Sequence, residues 1–209
     1  MRPALVVALM FGLAACAPVQ RAAAPQGAQS PAGPEARFDV GRADSQVSIA
    51  GDDSIVLRRQ VRRLPDRYDE VLTLEDGMIE YQKFAAPRTG EDADGRAIIR
   101  RLLATDTYRQ LGLPQQPESY RASRNRNGEF DYALLDGDDL RCVLMSQFFG
   151  GSANAGRNQE LRVALCREND APRAEALEAD AMALIGRINL DGGAGNRARS
   201  AAAIDNKKN

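Results

Sequence analysis

Two of the three cysteines in this chain are placed for a disulfide bond. Cys142 and Cys166 lie in two segments of alternating apolar and polar residues, separated by a glycine-rich loop. Pairing these segments about Asn154 puts the cysteines opposite each other, because both are equally far from that residue. Paired strands hold opposite Cα atoms ~4.5–5.5 Å apart, within disulfide range. We therefore predict a structural disulfide; a redox-active pair is the alternative, although neither a CxxC spacing nor a helix N-terminus supports it.

The third cysteine, Cys16, follows a different kind of segment. A charged start at Arg2 leads into an apolar run, residues 4–13, which is too short to span a bilayer and has signal-peptide proportions. The run ends in Leu13-Ala14-Ala15-Cys16, which resembles the lipobox of bacterial lipoproteins. That resemblance implies cleavage before Cys16, a lipid on its sulfur and acylation of the new amino terminus. An ordinary secretory signal or a short buried helix is the alternative.

The lipobox resemblance also implies a location. Two or three acyl chains on one residue hold a protein stably at a membrane that it does not span. In the lipoprotein family an Asp after the cysteine signals inner-membrane retention, and here that residue is Ala17. We therefore expect a periplasmic protein, anchored in the outer membrane of a Gram-negative host, with the membrane as its first partner.

The absence of histidine excludes many mechanisms. The sequence contains no His, so it cannot build a Ser-His-Asp or Cys-His site, a His metal ligand or an imidazole proton shuttle. Carboxylate chemistry and Lys or Ser nucleophiles remain. The formal net charge of −1 argues against a nucleic-acid partner. We predict no catalytic residues, no cofactor and no metal.

Arginine carries almost all of the basic charge and clusters in two segments, residues 58–67 and 121–126. Around the start of the first segment, an apolar face of Ile55, Leu57 and Val61 alternates with the polar residues Arg58, Gln60 and Arg62, which predicts a half-exposed strand. The candidate residues for binding anionic glycan or lipid headgroups are Arg58, Arg62, Arg124 and Arg126. The alternative is a solvated strand face whose arginines lie beside acidic residues.

Three loops carry residues that some ligand sites use. Acidic residues 91–95 and 136–139 suggest calcium, but aligning Gly95 with the EF-hand glycine puts Arg101 where a bidentate Glu is needed. We predict turns or a helix start there. Residues 150–156 form a glycine-rich loop without the Lys-Ser/Thr of a phosphate-binding loop. It is predicted to connect two strands, or alternatively to contact a partner.

Turn dipeptides position the remaining strands. Asp76-Gly77 predicts a β-hairpin with Leu74 opposite Ile79 and Leu72 opposite Tyr81. Asn127-Gly128 predicts a second hairpin, and its pairs are Arg126 with Glu129 and Arg124 with Asp131.

Helical spacing occurs twice, at residues 98–103 and at residues 177–188, the second after a predicted cap at Asp170. Together with the strands, this predicts an α+β fold in which an antiparallel sheet of hairpins carries two helices packed on one face. The predicted parts are a signal peptide (1–15), a lipidated disordered tether (16–46), a single α+β domain (47–190) and a disordered tail (191–209). The tether and tail have too few large apolar residues to offset the entropy of ordering.

The order of these features resembles the BcsN-type cellulose-biosynthesis lipoproteins. The resemblance lies in Cys16, the Arg-rich strand at residues 55–63, Tyr81-Gln82-Lys83-Phe84, Asn127-Gly128-Glu129-Phe130-Asp131-Tyr132-Ala133, Cys142, Leu161-Arg162-Val163-Ala164-Leu165-Cys166 and the closing helix. It implies an accessory role in exopolysaccharide production or export, with envelope or polysaccharide-secretion proteins as partners and no catalytic residues to carry over.

Three hypotheses follow for the function. The leading one is a non-catalytic, lipid-anchored accessory or scaffold protein of the cell envelope. The second is an arginine-mediated binding module for anionic glycan or lipid headgroups. The third is a carboxylate-based hydrolase, which needs two acids ~5–9.5 Å apart across a cleft.

Overall fold

A computed structural model describes residues 36–51, 53–150, 156–169 and 175–190 of the chain. In these ranges the protein forms an eight-stranded antiparallel sheet, a two-stranded sheet and three α-helices. The predictions for the signal peptide, for Cys16, for Asp170, for the tip of the glycine-rich loop and for the tail lie outside the described residues. The sheet-dominated architecture agrees with the predicted α+β class.

The elements are numbered in chain order. The strands are β1 (Phe38–Asp39), β2 (Val47–Ile49), β3 (Val56–Arg63), β4 (Arg67–Leu74), β5 (Gly77–Arg88), β6 (Arg121–Asn125), β7 (Gly128–Asp136), β8 (Leu140–Phe149), β9 (Arg157–Glu168) and β10 (Ile188–Leu190). The α-helices are α1 (Gly95–Leu103), α2 (Asp106–Gln110) and α3 (Leu177–Arg187), and short 3-10 turns occupy Arg42–Asp44 and Gly90–Ala93.

Two runs of consecutive hairpins build the large sheet. Its strand order is β1-β3-β4-β5-β9-β8-β7-β6, and β10 pairs with β2 in the small sheet. Strands β3 to β5 form one run and β6 to β9 the other, and the antiparallel pairing of β5 with β9 joins them. The centre of the sheet is therefore made by residues that are distant in sequence.

Both predicted hairpins are present, but their registers differ from the predicted ones by two residues. Leu72 lies opposite Ile79 in β4–β5, and Arg124 lies opposite Glu129 in β6–β7. The connecting residues lie one position earlier than predicted, so that Gly77 and Gly128 each begin the following strand. Because side chains alternate with a period of two, this shift leaves every side chain on its predicted face.

The need for glycine at position 77 comes from a neighbouring strand. A Cβ atom built on Gly77 would lie 1.9 Å from the carbonyl oxygen of Ala164 in β9. No side chain fits there unless the two backbones separate, so Gly77 allows the close approach of β5 and β9.

We expect Gly77→Ala to lower the free energy of unfolding by about 1–3 kcal/mol, because the added methyl group overpacks the β5–β9 contact. Gly186→Ala is the matched control, since a Cβ at Gly186 in α3 meets nothing within 4 Å. That change should be neutral or stabilise by up to ~1 kcal/mol. Urea unfolding of both variants tests this; equal stabilities would contradict the steric explanation.

Helices α1 and α3 pack on opposite faces of the sheet, which corrects the prediction that both share one face. Leu177 and Ile185 of α3 join a core that contains Val143 and Val163. Ile99 of α1 belongs to a second core, formed with residues such as Leu144, Ala133 and Leu103. Neighbouring residues of one strand point to opposite faces. Strands β7 to β9 carry apolar side chains on both faces of the sheet. A helix therefore packs against each face and shields it from water.

Two boundaries and the exposure of one side chain also differ from the predictions. Phe38 of β1 pairs with Val61 of β3, so ordered structure begins inside the segment predicted to be a tether. Ile188, predicted to end a helix, instead pairs with Ile49 in the small sheet. Leu57, predicted to face inward, is 67% exposed, because the pairing of β3 with β4 is irregular between Val56 and Arg58.

Candidate functional site

The predicted cysteine pair is bonded. Cys142 lies opposite Cys166 in the pairing of β8 with β9, with a Cα–Cα distance of 4.1 Å and a disulfide between the sulfur atoms. Both cysteines contribute to the core beneath α1, and Cys142 is fully buried there. This bond crosslinks two strands close to the middle of the sheet, which fits a structural role.

The two predicted anion-binding arginines of β3 already hold carboxylates of the protein. Arg58 Nε lies 2.8 Å from Asp39 Oδ1, and its hydrogen bond lowers the pKa of the Asp39 carboxyl. Arg62 Nη2 lies 2.5 Å from Oδ2 of the buried Asp69, which also pairs with Arg67. An external anion would have to compete with these internal partners.

The other two predicted arginines belong to the β6–β7 hairpin. Arg126 follows β6 and hydrogen-bonds to the Asn189 side chain and to the Gly186 carbonyl oxygen. Arg124 is exposed on β6, and no carboxylate among the described residues lies within ion-pair distance of it. Six strand pairings separate β3 from β6 in the order of the large sheet. Among the described residues, the four predicted arginines share no common partner.

A cluster of charges that we did not predict lies at the centre of the sheet, where β5 pairs with β9. Glu80 and Arg162 are cross-strand neighbours there. Arg162 Nε lies 2.5 Å from Glu160 Oε1, and Arg162 Nη1 lies 3.1 Å from Glu80 Oε2. Gln82 donates a hydrogen bond of 3.0 Å to Glu80 Oε1. A single guanidinium thus joins two carboxylates; we call these four residues the Arg162 cluster.

Glu160 is the most unusual member of the Arg162 cluster. It is fully buried, and its Oε2 atom finds no hydrogen-bond donor among the described residues. Burial raises the pKa of the Glu160 carboxyl, because a charged carboxylate is poorly solvated there, while the hydrogen bond from Arg162 acts in the opposite direction. The arrangement keeps Arg162 charged and gives Glu160 a tendency to bind a proton.

The Arg162 cluster borders a surface pocket of about 180 Å³ beside α1. Its lining consists of three arginines and three residues of the α1 region with aliphatic surface: Arg88, Ile98, Arg101, Leu102, Thr105 and Arg162. We call this the α1 pocket.

Asp94 is the N-cap residue of helix α1. Its side chain accepts a hydrogen bond of 3.0 Å from the Arg96 backbone N–H. The predicted helix start in this acidic loop is therefore confirmed.

The three arginines of the α1 pocket differ in whether a carboxylate forms an ion pair with them. Arg101 pairs with Asp92 at 3.0 Å, and Arg162 holds the two glutamates. The Arg88 guanidinium lies 3.8 Å from the centre of the Phe84 ring. Among the described residues, no carboxylate lies within ion-pair distance of Arg88. The pocket therefore contains one arginine without a direct ion pair in the described part of the chain, although the charge of Arg88 acts at longer range to lower the pKa of Glu160.

In the described ranges, no group of three His, Cys, Asp or Glu side chains is arranged to hold a metal ion. None of the described helices has the length and apolar character needed to cross a bilayer.

Comparisons with known proteins found no similar chain. No protein-family model, curated protein or solved structure matches this sequence or its fold. A functional proposal must therefore rest on the residues and on their geometry.

Proposed function

We propose that this protein is a non-catalytic accessory or scaffold protein of the periplasm, held at the outer membrane by lipid on Cys16. The Cys142–Cys166 disulfide is the observation that carries the proposal. Stable structural disulfides are typical of oxidising compartments such as the periplasm. The lipobox-like segment before Cys16 implies the same compartment independently, since it resembles an export signal.

The buried charges support a scaffold role. Two of the three buried acids in the described part of the chain, Asp69 and Glu160, each pair with an arginine. The third, Glu70, accepts hydrogen bonds from Ser45, Tyr68 and the Gln46 backbone N–H. Arg167 similarly joins Asp76 in the β4–β5 turn to Asp180 in α3, at 2.8 and 2.7 Å. The ion pairs of Arg167 therefore connect strand β9 to the β4–β5 turn and to helix α3.

The third hypothesis, a carboxylate-based hydrolase, has less support. Arg162 joins the acids Glu80 and Glu160, and no substrate can reach the buried Glu160.

The partners proposed for this scaffold are envelope or polysaccharide-secretion proteins, including those of cellulose biosynthesis or export. Support comes from the motifs that resemble the BcsN-type lipoproteins. The alternative binding module at Arg58 and Arg62 has weaker support, since both arginines are ion-paired with aspartates of the chain.

We expect Cys16→Ser to release the protein from the membrane fraction, because the acylated side chain is lost. Cell fractionation and labelling with radioactive palmitate measure this. Ala17→Ser is the matched control: it places a serine at the neighbouring position, keeps Cys16 and should leave both labelling and membrane retention intact. Retention and labelling of the Cys16→Ser protein would contradict the anchor.

Crosslinking of the native lipoprotein in membranes, followed by mass spectrometry, tests the accessory role. Recovery of polysaccharide-synthase or other secretion components would support it. Recovery of lipid or glycan alone would favour a binding module instead.

A further inference from the structure

The α1 pocket combines one arginine that forms no direct ion pair among the described residues with two glutamates that limit the negative charge it tolerates. Arg88 has no carboxylate partner among the described residues, whereas Arg101 and Arg162 do. The glutamates Glu80 and Glu160 are bound to the pocket's own Arg162. A second negative charge on a ligand would therefore be repelled. This balance matches a singly charged anion.

Arg88 is held in a manner that suits planar anions. Its guanidinium lies over the ring of the buried Phe84, at 3.8 Å from the ring centre. A cation–π contact of this kind uses the face of the guanidinium and leaves its N–H edge available. That edge matches the two oxygens of a carboxylate, which it binds with two parallel hydrogen bonds.

The remainder of the lining is mainly aliphatic. Ile98 and Leu102 lie on α1, and Thr105 follows the helix. These residues offer apolar surface next to the arginines, and burial of ligand methylenes against such surface is favourable. A ligand that matches both parts of the pocket carries an aliphatic body beside its charged group.

We propose that the α1 pocket binds a small monocarboxylate with an aliphatic body, whose carboxylate pairs with Arg88 and whose body contacts Ile98 and Leu102. This proposal concerns the folded region alone and does not depend on lipidation of Cys16. Its failure would leave the proposed anchor and scaffold role unaffected.

Calorimetric titration of the full chain, purified from membranes in dodecyl maltoside, tests the proposal with sodium hexanoate as the probe. We expect saturable binding that Arg88→Gln weakens about tenfold or more, the loss expected for a charge-assisted hydrogen bond. Arg124→Gln is the matched control, because it removes an exposed arginine without an ion pair in the described residues. It should bind hexanoate as the unaltered protein does.

Three further titrations test the roles of the ligand's charge and of its aliphatic body separately. Acetate should bind more weakly than hexanoate, because it lacks the aliphatic body, and hexyl phosphate should bind more weakly because of its extra charge. Leu102→Glu places a carboxylate in the pocket and should abolish hexanoate binding, independently of Arg88→Gln. The proposal is overturned by absence of saturable binding, by equal effects of Arg88→Gln and Arg124→Gln, or by preference for acetate or hexyl phosphate.

Discussion

Arg162→Met is expected to lower the free energy of unfolding by about 3–5 kcal/mol at neutral pH, because it leaves the buried carboxylate of Glu160 without its cation. Arg162 joins Glu160 and Glu80, and no other described residue forms an ion pair with Glu160. Methionine keeps much of the volume of the arginine side chain. The decrease in the free energy of unfolding therefore comes mainly from the missing charge, with a smaller contribution from a cavity. Urea unfolding of the purified protein measures it.

The pH dependence of this loss identifies its cause. The folded state raises the pKa of Glu160, so this group contributes stability that is fully present below the unfolded pKa and is lost as pH rises through the folded pKa. Removing the cation raises the folded pKa further. The Arg162→Met loss should therefore shrink as pH falls towards the ordinary glutamate pKa of about 4.3.

Two further variants control the Arg162 experiment. Glu160→Gln in the Arg162→Met background should recover part of the lost stability, because the remaining buried group is neutral. Arg96→Met removes an exposed arginine that pairs with Asp131 at 2.9 Å, and should have a much smaller effect. Equal losses in Arg162→Met and Arg96→Met, or a loss independent of pH, would disprove the explanation from buried charge.

Removal of the disulfide has the second large expected effect. The Cys142–Cys166 bond closes a loop with a sequence separation of 24, for which the chain-entropy model gives about 3–4 kcal/mol. We expect the double change Cys142→Ala and Cys166→Ala to lower the free energy of unfolding by that amount.

Chemical denaturation with and without reductant measures the disulfide contribution. Reductant should destabilise the unaltered protein and leave the double variant unchanged, which controls for other effects of the reagent. A double variant as stable as the oxidised protein would show that the crosslink constrains little in the unfolded chain.

Local patterns in the sequence predicted the local structure. The alternation around Cys142 and Cys166 was sufficient to pair them, because a hairpin is symmetrical about its loop. The predicted hairpin registers differ from the observed ones by two residues, because Gly77 and Gly128 each begin a strand instead of completing the turn. At Gly77 the deciding contact is the Ala164 carbonyl oxygen, which no local pattern contains.

The α1 pocket and the Arg162 cluster could not be predicted in the same way. Glu80 and Arg162 are 82 positions apart and meet only because β5 pairs with β9. The sequence did contain a signal that the two helices lie on opposite faces of the sheet. Val143-Leu144-Met145 is a continuous apolar run, which is typical of a strand buried on both faces and requires cover on both.

The two ends of the strand order determine how this sheet meets other molecules. At one end β1 has only two residues, and at the other end β6 carries the exposed residues Arg121 and Arg124. Very short outer strands and charged ones both oppose the addition of a further strand from another chain. Arg124 thus has a use that requires no ligand: separate copies of the protein are less prone to aggregate through their sheet edges, because neither end of the described sheet offers a long apolar template.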